Sequence, residues 1–323
     1  MREMKKLSCR VLIFCLLLAL LAVPVLGAQA LVPVGRAVGL ELEADGLTVA
    51  GFDDALGAPA KAAGLEQGDL IVKADGQPLS SAAALRSAVE RCREKLILTV
   101  LRDGREVNLT VTPQEAAGSK RLGIFVREGI TGVGTVTYYD PSTGAFGALG
   151  HGVSDGKGDL LPLRAGRVLN AQVASVKKGR VGAPGQLVGA FRAEESLGQL
   201  EKNTSCGVFG HASAGWSGTP LPVAEREEIH TGPATIRANI AGETVQEYSV
   251  EILKLYPDES TRNLLLHITD PALLQTTGGI VQGMSGSPII QDGRIVGAVT
   301  HVLVNDPTTG YGIFIENMLE AAG

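Results

Sequence analysis

A serine between small residues is the strongest chemical feature of the sequence. In the segment Gly283–Pro288, Ser285 stands between two glycines, directly before an apolar pair and a polar turn. Glycines let a chain bend tightly and approach a ligand closely. Amide N–H groups in such a turn can stabilise an oxyanion while the hydroxyl attacks from the same place. The alternative is an ordinary tight turn, because Gly, Ser and Pro also cluster where a chain merely bends.

A serine nucleophile needs a neighbouring base, and the chain offers five histidines. His151 ends a predicted strand and is flanked by glycines, so its imidazole can be both exposed and fixed. His211 has a similar setting and is the alternative base. His267 alternates with apolar residues, and His301 lies on a strand after the serine, where a core histidine is equally expected. The fifth, His230, stands in no comparable pattern.

The composition does not select the acid of a triad. Asp270 ends a predicted strand shortly before the serine, Asp155 follows His151 closely, and Asp306 lies in an Asn-Asp-Pro turn. The histidines form neither a His-Glu-x-x-His helix nor a cluster with cysteines, so the sequence predicts no metal site and no cofactor.

The N-terminal segment, residues 1–30, has the pattern of a signal peptide or membrane anchor. Basic residues precede an apolar run from Val11 to Leu21, and the segment ends in the small-x-small pattern Ala28-Gln29-Ala30. The stretch from Val11 to Leu26 is short for a membrane span and contains Pro24. We therefore predict an exported, extracytoplasmic protein with membrane contact through this segment, either anchored or released.

The composition is typical of a turn-rich β protein. The chain has 323 residues, 42 of them glycine, and only 4% are aromatic. This length predicts about two domains. The net charge is −5, without a basic patch interleaved with aromatics, so nucleic acid is not an expected partner. Cys92 and Cys206, the cysteines outside the first segment, are predicted to be buried free thiols.

Residues 31–114 form the first predicted domain. Alternating strands precede the string from Ala62 to Ile71, which contains two Gly turns, and a helix follows from Ala82 to about Arg93. The turn Asp103-Gly104 joins two further strands into a hairpin. This order of elements and the glycine string resemble the PDZ domain of bacterial exported proteases.

The PDZ resemblance implies a peptide ligand that adds a strand to the domain. The loop that presents N–H groups to the ligand's C-terminal carboxylate would consist of Arg36, Ala37, Val38, Gly39 and Leu40. The alternative is a domain that only packs on its neighbour.

Residues 115–323 form the second predicted domain, in which short apolar runs are broken by glycine, as in a β-barrel or sandwich. The segments Gly147–His151, Gly279–Ile290 and Gly297–Val302, with the PDZ domain before them, resemble the stage IV sporulation protein B family of signalling serine peptidases.

This resemblance implies a triad of His151, Asp270 and Ser285, with the N–H groups of Gly283 and Ser285 as the oxyanion hole. The His-Asp-Ser order is also that of chymotrypsin-like peptidases, although the spacing differs. The expected fold is therefore mainly β, an α+β PDZ domain followed by a chymotrypsin-like double β-barrel.

The resemblance also implies a function. An exported serine endopeptidase would cleave a membrane-associated regulator of an intramembrane protease, between forespore and mother cell, and would cleave itself. This cleavage would trigger sporulation signalling and sigma factor activation. The alternative is a PDZ peptide-binding scaffold that carries an inactive peptidase-like domain.

Overall fold

Antiparallel β-structure dominates the computed structural model, which describes residues 29–154 and 158–323. The first ten strands are β1 (Ala30–Pro33), β2 (Ala37–Phe52), β3 (Leu70–Ala74), β4 (Gln77–Pro78), β5 (Leu96–Arg102), β6 (Arg105–Val111), β7 (Gln114–Ala116), β8 (Ser119–Arg121), β9 (Ile124–Tyr139) and β10 (Ala145–Ala148). The later strands are β11 (Leu163–Lys177), β12 (Gln186–Thr204), β13 (Gly207–Ala212), β14 (Leu221–Pro222), β15 (Gly232–Ala241), β16 (Thr244–Leu255), β17 (Leu264–Ile268), β18 (Pro288–Gln291), β19 (Arg294–Leu303) and β20 (Asp306–Phe314). The helices are α1 (Ala58–Ala62), α2 (Ala82–Arg91), α3 (Pro271–Thr277) and α4 (Ile315–Ala322), with a 3-10 turn at Arg226–Glu228.

The first barrel is a circuit of six antiparallel strands. Its neighbours run β2, β9, β10, β13, β12 and β11, and the circuit closes because β2 pairs with both β9 and β11. Its interior is filled by buried apolar side chains such as Leu40, Val136, Phe146 and Val168. Closure leaves these strands no free edge along the paired lengths.

The second barrel follows in the chain and contains Ser285 in one of its connections. Its strands are ordered β15, β16, β17, β20, β19 and β18, and β18 pairs back onto β15. Side chains alternate inward and outward along β16, where Tyr248, Val250 and Ile252 are buried and their neighbours are exposed. The predicted double β-barrel is confirmed.

The PDZ domain extends the sheet beyond the first barrel. Strands β3, β5 and β6 continue from the second half of β2, and α2 covers their apolar face with Leu85 and Val89. Helix α2 begins after Ser81, whose hydroxyl accepts a hydrogen bond from Ala84 N at 3.1 Å, a standard N-cap. The predicted mainly-β chain with an α+β PDZ domain is therefore also confirmed.

Two long strands run through both regions. The first half of β2 pairs with β9 inside the first barrel, and the second half pairs with the beginning of β9 inside the PDZ domain. The register shifts between Glu43 and Thr48, where the ribbon passes from one region to the other. The predicted domain limits at 30/31 and 114/115 stay a prediction, and β2 and β9 are shared between the regions that these limits separate.

The predicted N-terminal signal or anchor lies almost entirely outside the described residues. The described chain begins at Gln29, whose carbonyl accepts a hydrogen bond from Val223 N at 2.9 Å. Within residues 29–154 and 158–323, none of the helices combines the length and apolar character needed to cross a membrane. Cys92 is buried and Cys206 half-buried, and both are free thiols.

Candidate active site

The turn that carries Ser285, residues 282–287, is built on two glycines in the left-handed region. Gly283 has a φ of +99° and Gly286 a φ of +97°, values that non-glycine residues rarely adopt. A Cβ atom at Gly286 would lie 2.0 Å from the carbonyl oxygen of Thr135. The absence of a side chain at Gly286 thus allows the turn to pack closely against strand β9.

Strands β9 and β12 orient the peptide groups of this turn. The hydroxyl of Thr135 donates to Gly283 O at 2.7 Å, and Thr135 N donates to Ser285 O at 3.0 Å. Leu187 N donates to Gln282 O at 2.8 Å. Three carbonyl groups of the turn are therefore held by residues far away in the sequence, and no local motif marks Thr135 or Leu187 for this task.

The amide groups proposed for the oxyanion hole are free to donate. Within the described part of the chain, neither Gly283 N nor Ser285 N has a hydrogen-bond acceptor. Gly283 and Ser285 both line a pocket of about 310 Å³. Two such N–H donors in the lining of a pocket can stabilise a developing oxyanion.

His151 lines the same pocket as Ser285. Its Nδ1 lies 2.8 Å from Gly152 O, so Nδ1–H is the donor and Nε2 is left as the acceptor that a general base requires. Burial lowers the pKa of His151, although the Gly152 contact acts in the opposite direction. The imidazole is thus neutral at pH 7, the form that accepts a proton.

Strand β19 contributes contacts to both Ser285 and His151. The hydroxyl of Ser285 donates to Thr300 O at 2.7 Å, so it must rotate toward His151 before it can attack. The ring of His301 lies beside that of His151, with centroids 5.0 Å apart. His301 as a whole is exposed, whereas its sequence pattern was also compatible with a core position. Burial lowers its pKa, and His151 and Arg262 act in the same direction.

The predicted acid, Asp270, lies at the N-terminus of α3. Its Oδ1 accepts from Ala272 N at 2.9 Å and from Leu273 N at 3.0 Å, which makes it the N-cap. Asp270 is not among the residues that line the pocket of Ser285 and His151. The structure therefore brings together two members of the predicted triad, and the role of Asp270 in it stays a prediction.

The remaining candidates have other surroundings. His211 is exposed and its Nδ1 lies 3.0 Å from Glu201, away from the pocket lining. Asp306 accepts hydrogen bonds from the hydroxyls of Thr308 and Thr309 in its own turn. Asp155 lies outside the described residues.

Replacing Asp270 separates its capping role from a catalytic one. We expect Asp270→Ala to lower the free energy of unfolding by about 1 kcal/mol and Asp270→Asn to preserve it, because asparagine caps a helix as well as aspartate does. Thermal or denaturant unfolding measures this difference. If Asp270 also orients the catalytic histidine, Asp270→Asn loses kcat by about 10⁴-fold despite its intact stability. Activity close to the parent in Asp270→Asn would remove Asp270 from the triad.

The PDZ domain has its own groove, of about 510 Å³, between α2 and the beginning of β9. Along Ile124–Val126, β9 pairs with β2 on one side, and among the described strands none pairs with its other edge. Gly123, just before this edge, has a φ of +66°, and a Cβ there would lie 2.2 Å from Leu56 C. The groove thus combines an open strand edge with a glycine turn.

The predicted carboxylate loop, Arg36–Leu40, lies elsewhere. Val38, Gly39 and Leu40 are buried in the first barrel and pair with β9 on one side and β11 on the other. Because both edges are occupied, this segment has no edge for a peptide strand in this structure. The open edge at Ile124–Val126 is instead the candidate edge for a bound peptide strand. The available sequence signal was Gly123 between apolar residues, directly before a strand.

A double β-barrel with serine and histidine at one pocket, joined to a peptide-binding module, defines a serine peptidase with a PDZ domain. Residues 37–112 match the PDZ domain family. Residues 118–319, well over half of the chain, match the family described as SpoIVB peptidase S55. The chain belongs to the SpoIVB peptidase S55 family.

Curated relatives share shorter segments. A putative zinc metalloprotease of Brucella suis is 38% identical over 80 residues, which are 24% of this chain and 21% of that protein. The periplasmic serine endoprotease DegP of Escherichia coli K12 is 38% identical over 72 residues, 22% of this chain and 15% of DegP. The chain thus spans about a fifth or less of the length of these relatives.

Solved structures are more distant. The inactive serine mutant of Rv3671c from M. tuberculosis H37Rv is 14% identical, with a TM-score of 0.34 over 59% of this chain and 80% of that one. The inactive form of the Rv3671c protease gives 13% identity and a TM-score of 0.35, covering 59% and 82%.

Proposed function

We propose that the chain is an exported serine endopeptidase in which Ser285 is the nucleophile and His151 the general base. The observation that carries this proposal is the pocket that Ser285 and His151 share with the N–H groups of Gly283 and Ser285, which have no acceptor among the described residues. A serine hydroxyl and a neutral imidazole that line one pocket, together with preorganised oxyanion donors, are the groups that acyl transfer requires.

The reaction follows from these positions. Ser285 Oγ leaves the Thr300 carbonyl and attacks the scissile carbonyl carbon, while Nε2 of His151 takes the hydroxyl proton. The oxyanion binds the N–H groups of Gly283 and Ser285. His151 then donates its proton to the leaving amine as the peptide bond breaks. Water attacks the acyl-enzyme with His151 as base, which frees the acid product and restores Ser285.

Asp270 completes the proposed triad as the residue that orients and stabilises the imidazolium. Its support is the family resemblance and its place in the His-Asp-Ser order. In its present position the carboxylate caps α3, so its catalytic role requires that it act from there or leave the cap.

The PDZ groove is proposed to bind the C-terminus or an extended segment of a protein ligand as an added strand beside Ile124–Val126. The groove is lined by three basic residues, Arg86, Lys120 and Arg121, and by two acidic ones, Asp53 and Glu90. The lining therefore keeps an excess of one positive charge for a carboxylate. Strand β9 runs from this groove to Thr135, which holds the serine turn by a hydrogen bond to Gly283 O. One strand therefore connects the proposed peptide-binding groove with the serine turn.

A charge reversal in the groove tests this assignment. We expect Arg86→Glu to weaken binding of peptides with a free C-terminal carboxylate by about tenfold, since attraction becomes repulsion. Arg91→Glu, on the same helix but away from the lining, is the matched control and is expected to bind within about twofold of the parent. Fluorescence anisotropy with a carboxylate peptide and its amidated form measures both. Equal binding by the two variants would contradict the assignment.

The proposed substrate is a membrane-associated regulator of an intramembrane protease, cleaved between forespore and mother cell, together with the chain's own N-terminal region. Its cleavage would lead to sigma factor activation during sporulation. The support is the family to which the chain belongs and the export pattern in residues 1–30.

The test of the peptidase function is covalent labelling of the full chain by a fluorophosphonate probe. The adduct is expected on Ser285, located by mass spectrometry, and is expected to vanish when the protein is heat-unfolded first. The rival function, a PDZ scaffold with an inactive peptidase-like domain, predicts an unlabelled Ser285 in the folded protein.

A further inference from the structure

The pocket beside Ser285 has an aliphatic lining. Its apolar contributors come from β2, β9 and the segment after β10, and are Leu40, Leu42, Ile130, Val133, Leu149 and Val153. The polar lining residues are His151, Ser154, Gln282 and Ser285. Among the described lining residues none carries an acidic side chain, a lysine or an arginine. The chemistry of the walls thus favours an uncharged apolar group.

We propose that this pocket is a substrate subsite that accepts an aliphatic side chain next to the scissile bond, and that Gly132 sets its size. The proposal rests on the peptidase function proposed above. A branched aliphatic side chain gains free energy by leaving water for such a lining. A charged side chain would lose its hydration without gaining a partner. The enzyme therefore selects proteins that present leucine-like residues at the cleavage site.

Among the described glycines that line the pocket, Gly132 is the one with free space for an added Cβ atom. It lies on β9 opposite Leu40 and lines the pocket. A Cβ atom at Gly132 would meet no atom within 4 Å, whereas one at Gly134 would lie 2.3 Å from the side chain of Leu149. A larger residue at Gly132 is thus compatible with the strand and would project into the space that a substrate side chain needs.

The experiment compares peptides that differ only in the residues flanking the cleaved bond, with Ala, Leu, Lys or Glu at each side in turn. The wild-type chain is expected to cleave the best leucine peptide at least tenfold faster in kcat/KM than its alanine counterpart. It is expected to cleave the lysine and glutamate peptides about 100-fold more slowly than the leucine peptide. Cleavage at the intended bond is verified by mass spectrometry.

Gly132→Val supplies the decisive variant. We expect its kcat/KM for the leucine peptide to fall about tenfold and that for the alanine peptide to stay within about threefold. Gly51→Val is the matched control, because Gly51 is a strand glycine on β2 away from the pocket. Its nearest added contact is Phe125 at 3.9 Å. The selectivity of the control is expected to equal that of the parent.

Fluorophosphonate labelling separates the two proposals. A wild type that fails to label overturns the peptidase function. A wild type and a Gly132→Val variant that label equally fast, but cleave leucine and alanine peptides in the same ratio, overturn the subsite alone. If Gly132→Val labels poorly because it is misfolded, Gly132→Ala replaces it with a smaller expected shift in the same direction, and an unchanged ratio again overturns the subsite.

Discussion

Replacing Ser285 with alanine is expected to reduce kcat by about 10⁴- to 10⁶-fold while the fold persists. The reason for the loss is that the proposed acyl-enzyme cannot form without Oγ, and the remaining oxyanion donors and binding contacts provide only residual catalysis. The reason for the intact fold is that, among the described residues, the hydroxyl makes a single hydrogen bond, to Thr300 O, and such a bond contributes about 1 kcal/mol. Cleavage of a protein or peptide substrate, together with thermal unfolding, measures both effects.

Ser287 is the matched control for this substitution. It stands two residues further along the same turn, is fully buried, and among the described residues its Oγ has no hydrogen-bond partner. Ser287→Ala therefore removes a buried unsatisfied polar atom and is expected to leave activity within about threefold and stability unchanged or raised. A Ser285→Ala protein that cleaves as fast as Ser287→Ala would show that Ser285 is not the nucleophile.

Replacing His151 with alanine is expected to be nearly as damaging, with a loss of about 10⁴- to 10⁶-fold in kcat. Without the imidazole, the described lining of the pocket holds no other histidine that could accept the serine proton. His211→Ala is the matched control, because His211 is exposed beside Glu201 and away from the pocket. Its activity is expected within about twofold of the parent. A large loss in His211→Ala with little loss in His151→Ala would assign the base to the alternative residue.

The pH dependence of the parent gives an independent reading of the same residue. Protonated His151 cannot accept the serine proton, so kcat/KM falls as pH drops through the pKa of this group in the free enzyme. Because burial lowers that pKa, the midpoint of the acidic limb is expected below 6.5, the ordinary value for histidine. The neighbouring His301, whose pKa is also lowered, stays neutral over this range. A midpoint above 6.5 would contradict the environment found for His151.

The strand pattern and the glycine strings predicted the mainly-β class, and the double β-barrel was added by the family resemblance. Alternation along segments such as β16, and the turn glycines of the PDZ domain, are local properties that depend on residues close together in the chain. The mainly-β class, the PDZ domain and the double β-barrel followed from them and from the family resemblance. The order of strands in the circuits did not, because pairing such as that between β2 and β11 joins segments more than a hundred residues apart.

Residues near the site illustrate the same limit. The helix pattern after Asp270 does not reveal whether its carboxylate turns toward a histidine or, as found, caps α3. His301 was also compatible with a core position, and only the tertiary structure places its ring beside that of His151. The carboxylate loop predicted at Arg36–Leu40 lies between two strands, since an open edge depends on which neighbours a strand acquires.

The sequence by itself determined the serine turn, His151 as the preferred candidate for the base, the PDZ module and the serine peptidase class. Each of these has a local signature of residue types and spacing. The tertiary structure decided what the turn contacts. Thr135 and Leu187, from distant strands, hold the peptide groups around Gly283. The N–H groups of Gly283 and Ser285 have no acceptor within the part of the chain that the structure describes. Barrel closure brings β2 and β9 beside that turn, and this proximity creates the aliphatic pocket that no single segment encodes.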